Sequence, residues 1–208
     1  MLKPEAILWD FDGVILDSMA IRELGFRTVL SEYSNAQVDE LIRFHEENGG
    51  LSRYVKFRYF FEHVLNRSIS SQEIQKLSQR FSEIMRIRLS EKKYLIQETL
   101  AFIKNYYGII PMHIVSGSDH IELNFLCDKL EITNLFNSIE GSPIVKNVLV
   151  GDLLERFGYQ PTRCILIGDS VNDFEAASLN GVHFMGYNNI TLDKRGYDYI
   201  HNFTELAW

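Results

Sequence analysis

The stretch Asp10-Phe11-Asp12-Gly13 constrains the fold of this chain more than any other. Residues 6–9 before it are apolar and predict a strand, and Gly13 then allows the backbone to turn. Side chains two residues apart on a strand point to the same side, so Asp10 and Asp12 would project together from the strand end. Paired carboxylates repel unless a cation or a shared proton stabilises them. Such a pair suits a nucleophile beside a general acid/base, and a plain turn with a helix cap is the alternative.

Length and charge limit the possible functions. The 208 residues are enough for one domain, or for one domain with an inserted module. The net charge of −7 argues against nucleic acid or an anionic membrane as the main partner. A phosphorylated substrate would therefore need a metal or local Lys and Arg residues at its site. We recognise no signal peptide and no apolar run long enough to cross a bilayer.

The two cysteines indicate a reducing compartment. Cys127 and Cys164 form no CxxC pattern, and Cys164 lies inside an apolar run. We predict that both are buried free thiols, which is typical of the cytoplasm. We therefore expect a cytoplasmic protein, present as a monomer or a homodimer.

The pattern of the chain changes at two points. Residues 19–93 show helical periodicity only, whereas strands and helices alternate from Tyr94 onward. Alternation of this kind predicts an α/β fold with a doubly wound, Rossmann-like parallel sheet. We predict that 1–18 and 94–208 form this core domain and that 19–93 form an inserted helical cap domain.

Local signals inside the predicted cap mark its helix ends. Residues 34–37 and 70–73 have the sequence of a capping box, in which a serine opens a helix. The stretch Asn48-Gly49-Gly50 is predicted to end the helix that begins near Ser34, through a left-handed glycine cap. An aromatic stripe at helical spacing is predicted to be core: Tyr54, Phe57, Phe60 and Phe61.

Polar clusters in the C-terminal part also follow predicted strands. Ser116 to Asp119 follow one such strand, and Asp169 and Asp173 follow another. In an open parallel sheet, ligands bind beyond the carboxyl ends of the strands. Together with the two aspartates of the first strand, four carboxylates would share one crevice. That arrangement requires a hard divalent cation with oxygen ligands, and Mg²⁺ is the natural choice.

Two further features admit two interpretations each. Ser116, Gly117 and Ser118 offer a hydroxyl and backbone N–H groups for an anion, or they form a simple turn with Asp119 as a helix cap. Lys146 opens a predicted helix, where a cation is electrostatically misplaced. It either leans towards the carboxylates and a phosphate or is a solvated lysine.

These clusters, in this order, resemble the motifs of the haloacid dehalogenase superfamily of phosphatases. Residues 10–14 resemble the first motif, DxDGx, and Ser116 the second. Lys146 fits the third motif, and residues 168–173 resemble the fourth, GDxxxD. The insertion after the first motif resembles the helical C1-type cap of the phosphoglycolate phosphatase and β-phosphoglucomutase branch. One departure is Asn147 after the lysine, where many relatives have proline.

The resemblance implies catalytic roles. Asp10 would attack phosphorus and form an aspartyl-phosphate, while Asp12 would protonate the leaving alcohol and then activate water. Ser116 and the Gly117 amide would bind the phosphoryl oxygens, and Lys146 would neutralise charge. These roles suit phosphoryl transfer, in which positioning and charge stabilisation provide most of the acceleration.

The resemblance also implies a metal site and narrows the class. Mg²⁺ would be held by Asp10, by the backbone carbonyl of Asp12 and by Asp169, with Asp173 as a direct or water-mediated ligand. An acid at the position of Asp12 is typical of the phosphatases and mutases of the superfamily, whereas dehalogenases and P-type ATPases lack it.

Substrate recognition is expected in the cap. Arg53 and Lys56 follow the Gly49-Gly50 pair, in a loop region that reaches the site in relatives. We predict that Arg53 and Lys56 contact the non-reacting part of the substrate; a solvated helix face is the alternative.

The leading hypothesis is a Mg²⁺-dependent phosphatase for a small phosphorylated metabolite, such as a sugar phosphate or phosphoglycolate. The first alternative is a phosphomutase of the β-phosphoglucomutase type, which would need a bisphosphate activator. The second is a non-catalytic binding protein on the same fold. Such a protein would be expected to lose motif residues that are all present here.

Overall fold

A parallel sheet forms the centre of the molecule. The structure, a computed structural model, describes residues 3–206 and 208. Within them, six parallel strands lie in the order β3-β2-β1-β4-β5-β6. The strands are β1 Ala6–Trp9, β2 Met112–Asp119, β3 Ser138–Ser142, β4 Cys164–Gly168, β5 His183–Tyr187 and β6 Tyr199–Ile200. The predicted α/β class with a doubly wound parallel sheet is confirmed.

Helices lie on both faces of the sheet and between its first two strands. The helices are α1 Met19–Val29, α2 Asn35–Glu47, α3 Arg53–Tyr59, α4 Ser71–Arg88, α5 Gln97–Tyr106, α6 His120–Lys129, α7 Lys146–Phe157, α8 Val171–Leu179 and α9 Ile190–Lys194. A π-helical turn, Phe60–Val64, extends α3. No helix in the described part of the chain combines the length and apolar character that a membrane span requires.

The central strand β1 is buried on both faces. Ala6 and Leu8 pack with α7 and α8 on one side, whereas Ile7 and Trp9 belong to the apolar cluster of α5 and α6 on the other. Strand residues alternate between faces, so four consecutive apolar residues are what a strand covered by two helical layers requires. The carboxyl end of β1 therefore lies at the middle of the sheet edge.

Helices α1 to α4 follow β1 in the chain, and α5 then precedes β2. The chain leaves and returns side by side, because the Ile96 amide donates to the Ile15 carbonyl at 2.9 Å and the Asp17 amide donates to the Tyr94 carbonyl at 2.8 Å. The apolar cluster is continuous across the junction, with Phe26 of α1 in the same cluster as β1. A division at 18 and 93 remains our prediction, and we call residues 19–93 the cap below.

The predicted helix starts in the cap are confirmed, and the predicted end of α2 is confirmed in position, but its left-handed glycine cap is wrong. Ser34 and Ser70 open α2 and α4 in complete capping boxes. However, α2 ends at Glu47 with Asn48 as its cap, and neither Gly49 nor Gly50 has a positive φ. Gly50 instead allows a close approach of the cap to Ser170 and Asn172 of the core.

Candidate active site

The chemically important residues meet at the carboxyl edge of the sheet. Asp10 follows β1, Ser116 lies within β2 and Asp169 follows β4, and these three strands are neighbours. This edge is where ligands bind in open α/β sheets. The structure therefore brings together the residues that the sequence analysis selected in the core.

Lys146 is the centre of a buried ionic cluster. It is the first residue of α7 and is buried, and its Nζ donates to Asp10 Oδ1 at 2.6 Å and also to Asp173 Oδ1. The lysine thus leans towards the carboxylates, and the solvated alternative is wrong. The other oxygen of Asp173 accepts from the Ser170 amide at 3.0 Å and from its hydroxyl at 2.7 Å. Both oxygens of Asp173 are therefore already engaged.

The carboxylates of this cluster carry more negative charge than the lysine balances. One oxygen each from Asp10, Asp169 and Asp173 lie within 4.8 Å of one another. Burial raises the pKa of Asp10 to about 7, although the Lys146 charge opposes it. Burial and the Asp10 charge also raise the pKa of Asp169 well above its usual range. Buried oxygen donors with uncompensated charge fit a hard divalent cation such as Mg²⁺.

Close backbone packing holds Asp169 in place. Gly13 has a φ of +79°, and a Cβ there would lie 2.1 Å from Asp169 Oδ2, so only glycine fits. Asn188 donates to the Gly13 carbonyl at 2.8 Å, and Asn189 donates to the Asp169 carbonyl at 2.7 Å. The sequence analysis missed both asparagines, although their position directly after a strand is the same signal that identified Asp10.

Asp12 lies in a different environment from Asp10. Its carboxylate accepts hydrogen bonds from Ser18 Oγ at 2.5 Å, Arg22 Nε at 2.5 Å and Ser118 Oγ at 2.6 Å. Burial alone would raise its pKa, but the Arg22 charge and the two hydroxyl groups outweigh burial and lower the pKa. Asp12 is therefore ionised in this arrangement, beside the cap residue Arg22.

Residues 116–119, called the Ser116 loop below, extend β2 to Asp119 instead of following a strand that ends at Val115, and their contacts are partly as predicted. Ser116 is buried, and its Oγ accepts from the Ser118 amide at 3.1 Å. Asp119 caps α6 by accepting from the amides of Ile121 and Glu122, as the turn alternative proposed. The amides of Ile121 and Glu122 are thus already satisfied. An anion at this loop would meet the Ser116 hydroxyl and the Gly117 backbone instead.

A cap loop at residues 49–51 closes over this loop. A Cβ on Gly117 would lie 2.3 Å from the Gly50 carbonyl oxygen. A Cβ on Gly50 would lie 2.9 Å from both Ser170 Oγ and Asn172 Cβ. The cavity behind the loop has a volume of about 30 Å³, which is room for roughly one or two water molecules. The structure therefore shows the cap closed.

Three cap cations line this cavity. Arg22, Arg53 and Lys56 are all buried, so the solvated-face alternative for Arg53 and Lys56 is wrong. Glu122 of α6 accepts from Arg22 Nη1 at 3.1 Å and from Arg53 Nη1 at 2.5 Å. Arg53 Nη1 also donates to Ser82 Oγ at 2.7 Å. An ionic network thus joins α1, α3 and α4 of the cap to the core.

Lys56 has a different partner. Its Nζ lies 2.8 Å from His45 Nδ1 and donates to the Gly49 carbonyl at 3.1 Å. Burial and the Arg22 charge lower the pKa of Lys56 to about 7, and burial and the Lys56 charge lower the pKa of His45 to about 2. The sequence analysis missed Arg22, His45 and Glu122. A charged residue among the apolar positions of a helix was the one signal available for Arg22 and Glu122.

Three solved structures have folds similar to that of this chain. CbbY from Rhodobacter sphaeroides, in complex with xylulose-(1,5)bisphosphate, has a TM-score of 0.79 at 15% identity, covering 98% of this chain and 96% of that chain. β-Phosphoglucomutase from Clostridium difficile has a TM-score of 0.79 at 16% identity, covering 99% and 94%. A structure described as a predicted phosphoglycolate phosphatase, from Haemophilus somnus, has a TM-score of 0.73 at 15% identity, covering 99% and 97%. At these identities the likeness shows the fold alone.

A comparison of the sequence with family profiles identifies the family of this chain. A search of curated proteins found no match. The profile of the haloacid dehalogenase-like hydrolases, in contrast, matches residues 7–187. That range contains the strand ends, the ionic cluster around Lys146 and all the cap cations described above. The chain therefore belongs to the haloacid dehalogenase-like hydrolase family.

Proposed function

We propose that this protein is a phosphatase that hydrolyses a small phosphorylated metabolite, such as a sugar phosphate or phosphoglycolate, with Asp10 as the nucleophile. The observation that carries this proposal is the placement of Asp10. It lies at the end of the central strand, and Lys146 holds one of its oxygens at 2.6 Å. A carboxylate fixed in this way keeps its second oxygen available for attack.

The reaction would run in two balanced halves. First, Asp10 forms a bond to phosphorus while the bond from phosphorus to the substrate oxygen breaks, and that oxygen takes a proton from Asp12. Water then forms a bond to phosphorus, the Asp10–phosphorus bond breaks, and Asp12 takes the water proton. Ser116 and the Gly117 amide would hold the phosphoryl oxygens, and Lys146 would offset charge.

The environment of Asp12 limits the first step of the reaction, in which Asp12 must donate a proton to the leaving oxygen. Arg22, Ser18 and Ser118 stabilise the ionised carboxylate, which is the form that takes a proton from water. To act first as an acid, Asp12 must gain a proton, and its contact with Arg22 must loosen. Because Arg22 belongs to the cap, opening and closing of the cap would control this step.

Mg²⁺ fits the carboxylate cluster. Asp10, Asp169 and the backbone carbonyl of Asp12 would hold it. When bound, the ion would neutralise the carboxylates and polarise the phosphoryl group. Since both oxygens of Asp173 are engaged, we propose that Asp173 acts through a water or by positioning Lys146.

The cap would admit and then enclose the substrate. A cavity of about 30 Å³ cannot contain a phosphorylated metabolite, so we propose that residues 19–93 move away from the core to admit one. Arg53 and Lys56 would then contact the non-reacting part. Closure would exclude bulk water during phosphoryl transfer.

A phosphomutase is the second candidate. The buried cap cations Arg22, Arg53 and Lys56 favour it, since a bisphosphate would offer them a second anion. A mutase would release little free phosphate and would accumulate an isomer of its substrate. Measurement of both products with the same substrate separates the two functions.

The test is phosphate release from a panel of phosphorylated metabolites, with Mg²⁺ and with EDTA. We expect metal-dependent turnover by the wild type and by Asp152→Asn, an exposed aspartate on α7 that serves as the control. Asp10→Asn should have no turnover. Equal phosphate release by Asp10→Asn and the wild type would contradict the proposal.

A further inference from the structure

A cleft separate from the closed cavity reaches the carboxylate cluster. It has a volume of about 460 Å³ and lies between the carboxyl end of α2 and the loops that follow β4 and β5. Asp169 lines this cleft, whereas Asp10 lines the closed cavity of about 30 Å³. Met19 and Gly49 line both spaces and therefore form part of the partition between them. The carboxylate cluster thus lies between the cavity and the cleft.

The three carboxylates of the cluster differ in exposure. Asp10 is 3% exposed and Asp173 is fully buried, whereas Asp169 is half-buried. While the cap is closed, the cavity beside Asp10 has room for only one or two water molecules. A cation from bulk solvent can therefore approach the cluster at Asp169 without any movement of the cap.

Two anions on the rim of the cleft lie where helix electrostatics disfavour them. Glu46 and Glu47 are the last two residues of α2, and both are exposed and line the cleft. The free carbonyl groups at a helix C-terminus already carry partial negative charge, so acidic side chains are unfavourable there. The preceding arginine of α2, Arg43, pairs with Glu40 at 2.6 Å instead. Attraction of a cation from solvent gives the two glutamates a purpose.

One cation lies on the same rim. Arg195, the C-cap of α9, is exposed and lines the cleft with the two glutamates, and we call Glu46, Glu47 and Arg195 the rim residues. Together with Asp169, the cleft carries three anions against one cation. A cleft lined mainly by one sign of charge raises the local concentration of ions of the opposite sign.

We propose that this cleft is the passage by which the divalent cation reaches and leaves Asp169 while the cap is closed, and that the rim residues control the rate. The inference rests on the metal site of the proposed function and goes beyond it, because it gives the cation and the substrate separate entrances. The cation would then exchange with solvent even when a substrate fills the cavity.

The test measures entry and exit of Mn²⁺, a probe that takes the same oxygen ligands as Mg²⁺. Stopped-flow mixing of the Mn²⁺-loaded protein with a fluorescent chelator gives the dissociation rate, and calorimetry gives the Kd. The ratio of the dissociation rate to the Kd gives the association rate. No substrate is present, so the result does not depend on turnover.

The double variant Glu46→Gln/Glu47→Gln removes both rim anions. Because these charges stabilise the cation during its passage and not at the cluster, we expect both rates to fall by about tenfold at low salt. The Kd should stay within about threefold of the wild-type value, and the rate effect should shrink at high salt, which screens exposed charges. Arg195→Gln removes the opposing charge and should raise both rates by about threefold.

Matched controls change the same charges elsewhere. Glu83→Gln/Glu155→Gln alters exposed residues of α4 and α7 and changes the net charge by the same amount as the double rim variant. Arg88→Gln, at the exposed end of α4, is the control for Arg195→Gln. Both controls should leave the two rates unchanged, because their charges lie outside the cleft.

Unchanged rates in the rim variants would mean that the cation enters elsewhere, and the inference would be wrong. A faster dissociation with a weaker Kd in Glu46→Gln/Glu47→Gln would make the glutamates part of the binding site and would also contradict a passage. Absence of Mn²⁺ binding to the wild type would remove the metal site and the passage together. If the rates change as expected but no compound releases phosphate, the proposed function fails and the passage stands.

Discussion

The two walls of the closed cavity differ in how their polar groups are satisfied. On the core wall, formed by Asp10, Asp12 and Ser116 with Lys146 bound to Asp10, no buried side-chain nitrogen or oxygen atom lacks a hydrogen-bond partner among the described residues. On the cap wall, formed by Arg22, His45, Arg53 and Lys56, three buried nitrogen atoms have none within that part of the chain: Arg22 Nη2, Arg53 Nη2 and His45 Nε2. A reaction site gains from groups that are already fixed before the substrate arrives. A recognition site gains from groups that only the correct substrate satisfies.

The largest effect is expected on the core wall, from Lys146→Met. Methionine keeps most of the side-chain length but leaves the buried carboxylates of Asp10 and Asp173 without a cation. We expect kcat to fall by about a hundredfold or more and the free energy of unfolding to fall by about 3 kcal/mol. Steady-state kinetics and urea denaturation at pH 8 measure these quantities.

The control for this change is Lys104→Met, an exposed lysine on α5, which should change stability by less than about 0.5 kcal/mol. If Lys146→Met behaves like the control, the core wall is not held by this ion pair and the contrast between the walls disappears.

A smaller effect is expected where the two walls meet. In Gly117→Ala, the new Cβ would lie 2.3 Å from the Gly50 carbonyl oxygen, so the cap cannot close fully. We expect kcat/KM to fall by about tenfold to a hundredfold with little loss of stability, because only closure is disturbed. Small-angle scattering should show a more open molecule in solution.

Gly49→Ala is the matched change one residue before Gly50. Its Cβ would meet Ser170 Cβ at 3.5 Å, an ordinary contact, and activity should stay within about twofold of the wild type. Equal activity of Gly117→Ala and Gly49→Ala would mean that the closed contact is unimportant for turnover.

The smallest effect on stability is expected on the cap wall, where we expect the substitution to stabilise the protein. Lys56→Met removes a buried cation whose pKa is lowered to about 7 by burial and by Arg22. Without substrate, the charge is uncompensated, so Lys56→Met should raise the free energy of unfolding at pH 7 by about 1 kcal/mol. The same change should weaken substrate binding.

The pH dependence follows from the same lowered pKa. Between pH 7 and the usual lysine pKa of 10.5, the unfolded chain binds more protons at Lys56 than the folded chain does. Wild-type stability therefore rises with pH in this window, and the advantage of Lys56→Met should shrink between pH 7 and 9. Lys76→Met, on an exposed face of α4, should show neither effect. A loss of stability in Lys56→Met at pH 7 would contradict the difference that we describe between the core wall and the cap wall.

The core wall was largely predictable from sequence because its residues lie at or near the carboxyl ends of strands in a parallel sheet. Asp10, Ser116 and Asp169 stand at fixed places along the chain, and strand order brings them together. Asn188 and Asn189 obey the same rule and were missed only because β5 is followed by no charged group. The roles proposed for these residues remain predictions.

The cap wall was only partly predictable because three separate helices and α6 supply its residues. Arg53 and Lys56 were selected from their position near the loop, whereas Arg22, His45 and Glu122 gain meaning only from tertiary contacts. The end of α2 at Asn48 was predicted correctly, but the left-handed glycine cap was wrong for the same reason. Gly50 is required by its close approach to Ser170 and Asn172 of the core, which local sequence does not reveal.

The most direct test of the account is whether Asp10 becomes phosphorylated. Acetyl phosphate with Mg²⁺ suits this test because its leaving acetate needs no proton from Asp12, whereas hydrolysis of the intermediate does need Asp12 as a base. In Asp12→Asn, we predict that intact mass and peptide mapping show one phosphoryl group on Asp10, and that Asp10→Asn shows none. Phosphate release by the wild type with no phosphoryl group on Asp10 in Asp12→Asn would contradict the account.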